Sequence, residues 1–91
     1  MTAAPFMLQG EVDLATAPAI ATALDEHIEA NPDDVKVDCS ELTFIDSSGL
    51  SILANAARQL RSEGRGLELV ALSEACRRTI EVGGLAELLL P

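Results

Sequence analysis

The sequence predicts an α/β domain in which strands and helices alternate and the strands pair largely in parallel. Three observations support this fold class. Stretches that suit strands are each followed by a stretch with helical periodicity, turn residues separate them, and 91 residues suffice for one domain only. We expect that domain to span residues 1–91, beginning with a short tail at residues 1–5.

The first strand is predicted in PFMLQGEVD, and we expect it to end around Gly10. The next segment, LATAPAIATALDEHIEA, suits a helix with Thr16 as its N-cap and Pro18 in its first turn. Apolar residues recur four positions apart in this helix, at Ile20, Leu24 and Ile28.

The second strand is predicted in VKVDCS, where apolar and polar residues alternate, and it continues through LTFID. A helix is predicted from about Ser48, because apolar residues then form one stripe with helical spacing. That stripe contains Leu50, Leu53, Ala54, Ala57 and Leu60. The junction between strand and helix therefore falls on DSSG, residues 46–49.

The C-terminal third of the sequence repeats the pattern. SEGRG ends the second helix, and LELVAL is a compact apolar segment that suits a buried strand. SEACRRTIEV predicts a third helix with Ser73 as its N-cap. Two glycines end that helix, and LAELLL suits a last short helix or turn.

The charge distribution is acidic and uneven. The chain has 15 acidic and six basic residues, a net charge of −9, and Lys36 is the only Lys or Arg in the half that ends at Gly49. Clustered basic residues and the Trp or Tyr side chains that stack on bases are missing from the sequence, so we expect no nucleic acid partner. The acidic half is either a solvated face or a surface that attracts a basic partner.

Other classes of site lack their sequence signals. No metal-ligand cluster, phosphate-binding loop, signal peptide or membrane-spanning segment is recognisable, so we expect no cofactor, no metal, no membrane insertion and a cytoplasmic location. Cys39 and Cys76 are too far apart for a CxxC motif. We expect two buried free thiols, with a redox pair as the alternative.

The DSSG segment allows three interpretations. Asp46, Ser47 or Ser48 can cap the helix, but capping does not require all three, and Gly49 is a poor helix former that would let another molecule approach the backbone. A serine nucleophile needs a general base, and the only histidine is His27 on the first helix. An enzyme is therefore not expected.

The third interpretation is a serine presented for phosphorylation. A phosphoryl group adds about −1.5 to −2 charges at neutral pH. We expect free backbone amides at the helix start to hold that group, so that the fold survives while the binding surface changes.

The segments DCSELTFIDSSGLSIL and LELVALSEACRRTIEVGGL, with GEVD upstream, resemble the STAS domain, and within it the anti-sigma factor antagonists of bacteria. The resemblance covers the chain from about Phe6 onward. It implies a mixed sheet of about four strands with about four helices, in a domain that acts by protein–protein contact.

The resemblance also implies a site. Ser47 matches the residue that the anti-sigma factor, a serine kinase, phosphorylates with ATP, and a PP2C-type phosphatase reverses this step. The unphosphorylated antagonist binds the anti-sigma factor and frees the sigma factor. The residues that match the partner-binding surface are Asp46, Ser48, Gly49, Glu11 and Asp13.

Two points stay open within the resemblance. Family members usually carry another strand before the GEVD strand, so we expect an exposed or pairing sheet edge at PFMLQG. The alternative function is that of an accessory STAS subunit in a lipid-transport ABC system or a chemotaxis complex, in which Ser47 is silent.

Overall fold

A computed structural model describes residues 4–90; residues 1–3 of the predicted tail and residue 91 lie outside the described residues. Strands and helices alternate as the sequence predicts, which confirms the α/β class. The elements are β1 (Phe6–Val12), α1 (Ala17–Ala30), β2 (Val35–Ile45), α2 (Ser47–Ser62), β3 (Leu67–Val70), α3 (Glu74–Val82) and α4 (Ala86–Leu89). Within residues 4–90 the sheet has three strands, fewer than the four or so expected.

The strands lie in the order β1-β2-β3, and both neighbouring pairs are parallel. Crossovers between parallel strands are almost always right-handed, so α1 and α2, which connect consecutive strands in this order, lie on the same face of the sheet. One face therefore carries the core. The core side of the sheet carries Val37 and its cross-strand neighbours Phe6 and Leu69, whereas Asp38, Met7 and Val70 face the opposite side.

The core consists of the helix stripes packed on this face. All five residues predicted for the stripe of α2 are buried. Cys76 and Ile80 of α3 and Leu89 of α4 complete the cluster, in which Leu24, Leu60 and Leu89 are fully inaccessible to solvent. Because each element contributes apolar residues to one cluster, the described part of the chain folds as a unit.

β1 is longer than predicted. The sequence suggests an end around Gly10, but the strand continues to Val12, and Gly10 adopts a φ of 69° inside it. The register with β2 shifts on both sides of this residue, between Met7 and Gln9 and between Gly10 and Glu11. Gly10 therefore marks an irregularity in the strand, which only a residue without a side chain adopts easily, and not its end.

β3 is shorter than the predicted LELVAL segment. It ends at Val70, and Ala71 follows with a φ of 60°, a conformation that turns the chain away from the sheet. Ser73 caps α3 as predicted, since its Oγ accepts a hydrogen bond from the Cys76 amide at 3.2 Å. In the described part of the chain, no helix is both long enough and apolar enough to cross a bilayer.

Arg65 ties two loops together at the end of the molecule where β2 begins. Its Nε donates to the Asp33 carbonyl at 3.1 Å, and its Nη2 donates to the carbonyls of Ile28 and Asn31 at the end of α1. Its Nη1 lies 3.0 Å from Glu63 Oε1. One guanidinium thus bonds carbonyls at the end of α1 and in the loop that follows it.

Candidate functional site

The carboxyl ends of β1 and β2 lie side by side. Val12 pairs with Ile45, and the Asp46 amide donates to the Val12 carbonyl at 3.1 Å. The structure thus brings the GEVD and DSSG segments together. We call the surface formed by residues 11–14 and 44–49 the carboxyl edge; in parallel sheets this end of the strands usually carries the functional groups.

Asp46 caps α2. Its Oδ1 accepts hydrogen bonds from the amides of Ser48 at 2.8 Å and of Gly49 at 3.2 Å. The capping interpretation therefore holds for Asp46. It also changes one expectation, because these two amides are bonded to Asp46 and are not free to hold a phosphate.

The two serines of the segment differ in exposure. Ser47 is the first residue of α2 and is exposed, whereas Ser48 is half-buried. Ser47 also borders a shallow groove of about 340 Å³ between α2 and Leu85, which precedes α4. Of the two serines, Ser47 is therefore the more accessible.

Gly49 is buried, and the space beside it is occupied by the domain itself. A Cβ at this position would lie 2.5 Å from Val12 Cγ1 and 2.7 Å from Ile45 Cγ1. The expectation that a glycine here lets another molecule approach the backbone is therefore wrong. The close approach is instead that of α2 to the ends of β1 and β2.

The turn between β1 and α1 is fixed by its own hydrogen bonds. Asp13 Oδ1 accepts from the amides of Ala15 at 3.0 Å and Thr16 at 3.1 Å. Thr16 lies at the predicted N-cap position, but its side chain makes no capping hydrogen bond to α1. Thr16 Oγ1 donates to the Glu11 carbonyl at 3.0 Å and accepts from the Asp13 amide at 2.9 Å, which ties the turn to the strand.

Two apolar residues of the carboxyl edge are not singled out by the sequence. Leu14 is 77% exposed, and Phe44, which pairs with Glu11, is 50% exposed. Phe44 stands in the segment LTFID, whose apolar residues suggest burial, and Leu14 begins the segment predicted as the first helix. The turn after β1 and the outward face of β2 place these two side chains in solvent instead.

His27 is not placed to activate Ser47. It lies in the last turn of α1, and its ring is 5.5 Å from that of Phe6, the first residue of β1. Ser47 lies two residues after Ile45, the last residue of β2, at the opposite end of the paired strands. The structure therefore gives the serine-nucleophile interpretation no general base in His27. Residues 4–90 also contain no cluster of three or more potential metal ligands.

Cys39 and Cys76 are both buried and both free, as expected. Burial raises the pKa of the Cys39 thiol to about 12, with smaller contributions from the Asp38 charge and from Cys76. A thiol held protonated in this way is a poor nucleophile.

Fold and site together define a small α/β domain that presents an exposed serine at the carboxyl edge of a parallel sheet. Comparison with models of protein families identifies the family of the chain. The model described as "Mlab, STAS domain" matches residues 4–91, and the chain belongs to the STAS domain family.

Relatives within this family carry regulatory names. The chain is 31% identical over 80 residues to an anti-sigma-B factor antagonist of Listeria monocytogenes, covering 88% of this chain and 70% of the relative. It is 36% identical over 76 residues to the anti-sigma-F factor antagonist RsfB of Mycobacterium tuberculosis, covering 84% and 62%. An anti-sigma-B factor antagonist of Bacillus subtilis is 26% identical over 82 residues, covering 90% and 74%.

Proposed function

We propose that this protein is an anti-sigma factor antagonist that acts in the cytoplasm. In its unphosphorylated form it binds an anti-sigma factor, which then releases a sigma factor. The observation that carries the proposal is the exposed Ser47 at the start of α2, within the carboxyl edge. The names of the relatives in Listeria and Mycobacterium support the same function.

The carboxyl edge supplies the contacts in this proposal. Glu11 is exposed and Asp13 and Asp46 are half-exposed, so their carboxylates attract a basic partner surface. Ser48 and Gly49 act indirectly: their amides hold Asp46, and the close packing of Gly49 sets the position of Ser47.

Phosphorylation of Ser47 switches the contact off. The anti-sigma factor is the kinase: Ser47 Oγ attacks the γ-phosphorus of ATP, ADP leaves, and the hydroxyl proton passes to a base of the kinase. The new phosphate lies at the contact surface beside Asp46 and must remain hydrated. It therefore disrupts close packing against the partner, the complex dissociates, and a PP2C-type phosphatase restores the hydroxyl group.

The first test is phosphate incorporation. The purified chain is incubated with the anti-sigma factor serine kinases of its own genome and ATP, and the product is analysed by intact mass and peptide mapping. We expect one phosphate on the wild type and on Ser48→Ala, and none on Ser47→Ala. Phosphorylation of Ser47→Ala at the wild-type rate, or no phosphorylation of any form, contradicts the proposal.

The second test separates charge from shape. Ser47→Asp introduces a negative charge, and Ser47→Asn introduces a neutral side chain of nearly the same size. We expect the Asp variant to bind the anti-sigma factor more weakly than the Asn variant in calorimetry. Equal affinities of the two variants would show that the switch is not electrostatic.

The alternative function makes a different prediction for native complexes. An accessory subunit of a lipid-transport ABC system or of a chemotaxis complex would co-purify with the corresponding ATPase or signalling proteins, and Ser47→Ala would change nothing. Affinity capture followed by mass spectrometry distinguishes this result from capture of a serine kinase.

A further inference from the structure

The exposed large apolar residues of the described chain are concentrated unevenly. They are Leu14 and Phe44 in the carboxyl edge, Met7 near the start of β1, and Val82 at the end of α3. Single exposed apolar residues are common on protein surfaces. Two of them in one edge, beside the residue proposed to be modified, form a feature that needs an explanation.

Leu14 is held rigidly in its exposed position. The residues on either side of it belong to the turn in which Asp13 Oδ1 accepts from the amides of Ala15 and Thr16. Thr16 Oγ1 fastens the same turn to the Glu11 carbonyl. Because the backbone is already ordered, burying Leu14 in a partner costs little additional backbone entropy.

Phe44 is placed next to this turn by the strand register. It pairs with Glu11, the residue three positions before Leu14, and the next pair is Val12 with Ile45. Ser47 follows two residues later, tied to β1 through the hydrogen bond from the Asp46 amide to Val12. Leu14, Phe44 and Ser47 thus lie in the two neighbouring segments that form the carboxyl edge.

The charged residues of the carboxyl edge, residues 11–14 and 44–49, all have one sign. The edge contains Glu11, Asp13 and Asp46, and the sequence has no Lys or Arg between residues 37 and 57 or before Lys36. Lys36 itself pairs with Glu68 near the start of β2, at the other end of the strand. The surface is therefore apolar at two points and acidic around them, which is the complement of an apolar pocket bordered by Lys and Arg.

We propose that Leu14 and Phe44 are the apolar anchors of the partner-binding surface, and that the anti-sigma factor receives them in an apolar pocket with a basic border. The proposal rests on the proposed function for the identity of the partner. It adds two contact residues outside the DSSG segment and the chemistry of the surface that binds them.

The test compares single variants in one binding assay. Wild type, Leu14→Ser, Phe44→Ser and the control Met7→Ser, which alters an exposed apolar residue near the other end of β1, are titrated with the purified anti-sigma factor serine kinases of the same genome. The free energy gained when a Leu or Phe side chain is transferred out of water is large enough that each edge variant should bind at least about tenfold more weakly. Met7→Ser should bind like the wild type.

Each outcome has one meaning. Unchanged affinity of both edge variants, or an equal loss for all three variants, contradicts the anchor proposal while leaving the proposed function intact. Absence of binding by the wild type contradicts the proposed function, and the anchor proposal fails with it. Thermal unfolding of every variant verifies the fold; because Leu14 lies almost entirely in solvent, Leu14→Ser decides the matter if Phe44→Ser is destabilised.

Discussion

At residue 49, the lack of a side chain is a packing requirement. The first turn of α2 lies so close to the ends of β1 and β2 that a Cβ would overlap two side chains, those of Val12 and Ile45. Both neighbours are β-branched and buried, so neither can move aside easily. Gly49 therefore fixes the height of Ser47 above the sheet.

Gly49→Ala should lower the free energy of unfolding by about 1–3 kcal/mol, because the added methyl group overpacks this contact. Urea denaturation of the variant measures the effect. Gly66→Ala is the matched control, since the nearest atom to its Cβ would be 3.8 Å away, in Asp34, and its φ is not in the positive range. A Gly49→Ala variant as stable as the control would contradict the packing argument.

The chemistry of the DSSG segment could be predicted in part from the sequence. A cap at residues 46–48 and an accessible hydroxyl both follow from the residue types. That Gly49 faces inward depends on the approach of β1, a strand more than 30 positions away in the sequence. A local pattern holds no information about such a contact.

The Cys39 thiol makes stability depend on pH in alkaline solution. Its pKa rises from an ordinary 9.0 to about 12 on folding, mainly because burial disfavours the thiolate. The unfolded chain thus loses this proton at a lower pH than the folded chain. The stabilisation is complete below pH 9 and is lost as the pH rises from 9 toward about 12.

The free energy of unfolding should therefore fall faster with pH in the wild type than in Cys39→Ala above pH 9. The largest difference in slope from one thiol is about 1.4 kcal/mol per pH unit. Urea titrations from neutral pH to about one to two pH units above the ordinary thiol pKa measure it, with the variant removing contributions from other groups. Parallel pH profiles would show that Cys39 titrates normally in the fold.

At the scale of the elements, sequence patterns predict the three strands and three of the four helices of the described chain, and the segment LAELLL, predicted as a short helix or turn, contains α4. Where each element ends depends on its contacts with other elements. The stripe of α2 is predictable because its five apolar residues have helical spacing and are all buried. Gly10 suggests a strand end because glycine is rare inside strands; pairing with β2 on both sides of it carries β1 on to Val12. The exposure of Leu14 and Phe44 is unpredictable for a similar reason, since it depends on which neighbours cover a residue.

Arg65 shows how one side chain joins elements that are distant in sequence. Arg65→Ala should lower the free energy of unfolding by about 2 kcal/mol, because carbonyls of the α1 end and the loop before β2 lose a charged donor. Arg65→Lys should have a free energy of unfolding between those of Arg65→Ala and the wild type, since an ammonium group cannot reach several carbonyls in a fixed geometry.

Arg58→Ala is the control for this prediction, because Arg58 is exposed on α2 and should change stability by no more than about 0.5 kcal/mol. Chemical denaturation of the three variants provides the comparison. If Arg65→Lys is as stable as the wild type, a positive charge alone is sufficient and the geometry of the guanidinium is irrelevant.

For the whole molecule, strand order and the handedness of crossovers decide which surfaces remain free. Strands in the order β1-β2-β3, all parallel, carry α1 and α2 on one face, so within residues 4–90 the opposite face lacks the helix layer that usually covers parallel sheets. Its outward positions hold charged residues, among them Lys36, Glu41 and Glu68. These charges keep the uncovered face hydrated.

The concentration of acidic residues in the first half should govern the rate of association with a basic partner. Raising the NaCl concentration from about 0.05 to about 0.5 M shortens the range of electrostatic attraction, so the association rate constant should fall with a smaller change in the dissociation rate. Surface plasmon resonance with the anti-sigma factor measures both.

Glu11→Gln should lower the association rate constant more than Glu29→Gln, which removes the same charge from the end of α1. Equal effects of the two variants would mean that only the net charge matters. A rate constant that does not respond to salt would mean that the acidic half is a solvated face without a role in encounter.

The turn that bears Ser47 is attached to the sheet on both sides, by the Asp46 amide bound to Val12 and by the contact of Gly49 with Ile45. Such anchoring resists bending at the point where the proposed modification occurs. The two signalling states would then share one backbone and differ only in the outermost atoms that they present. Any larger movement that follows would belong to the protein that receives the signal.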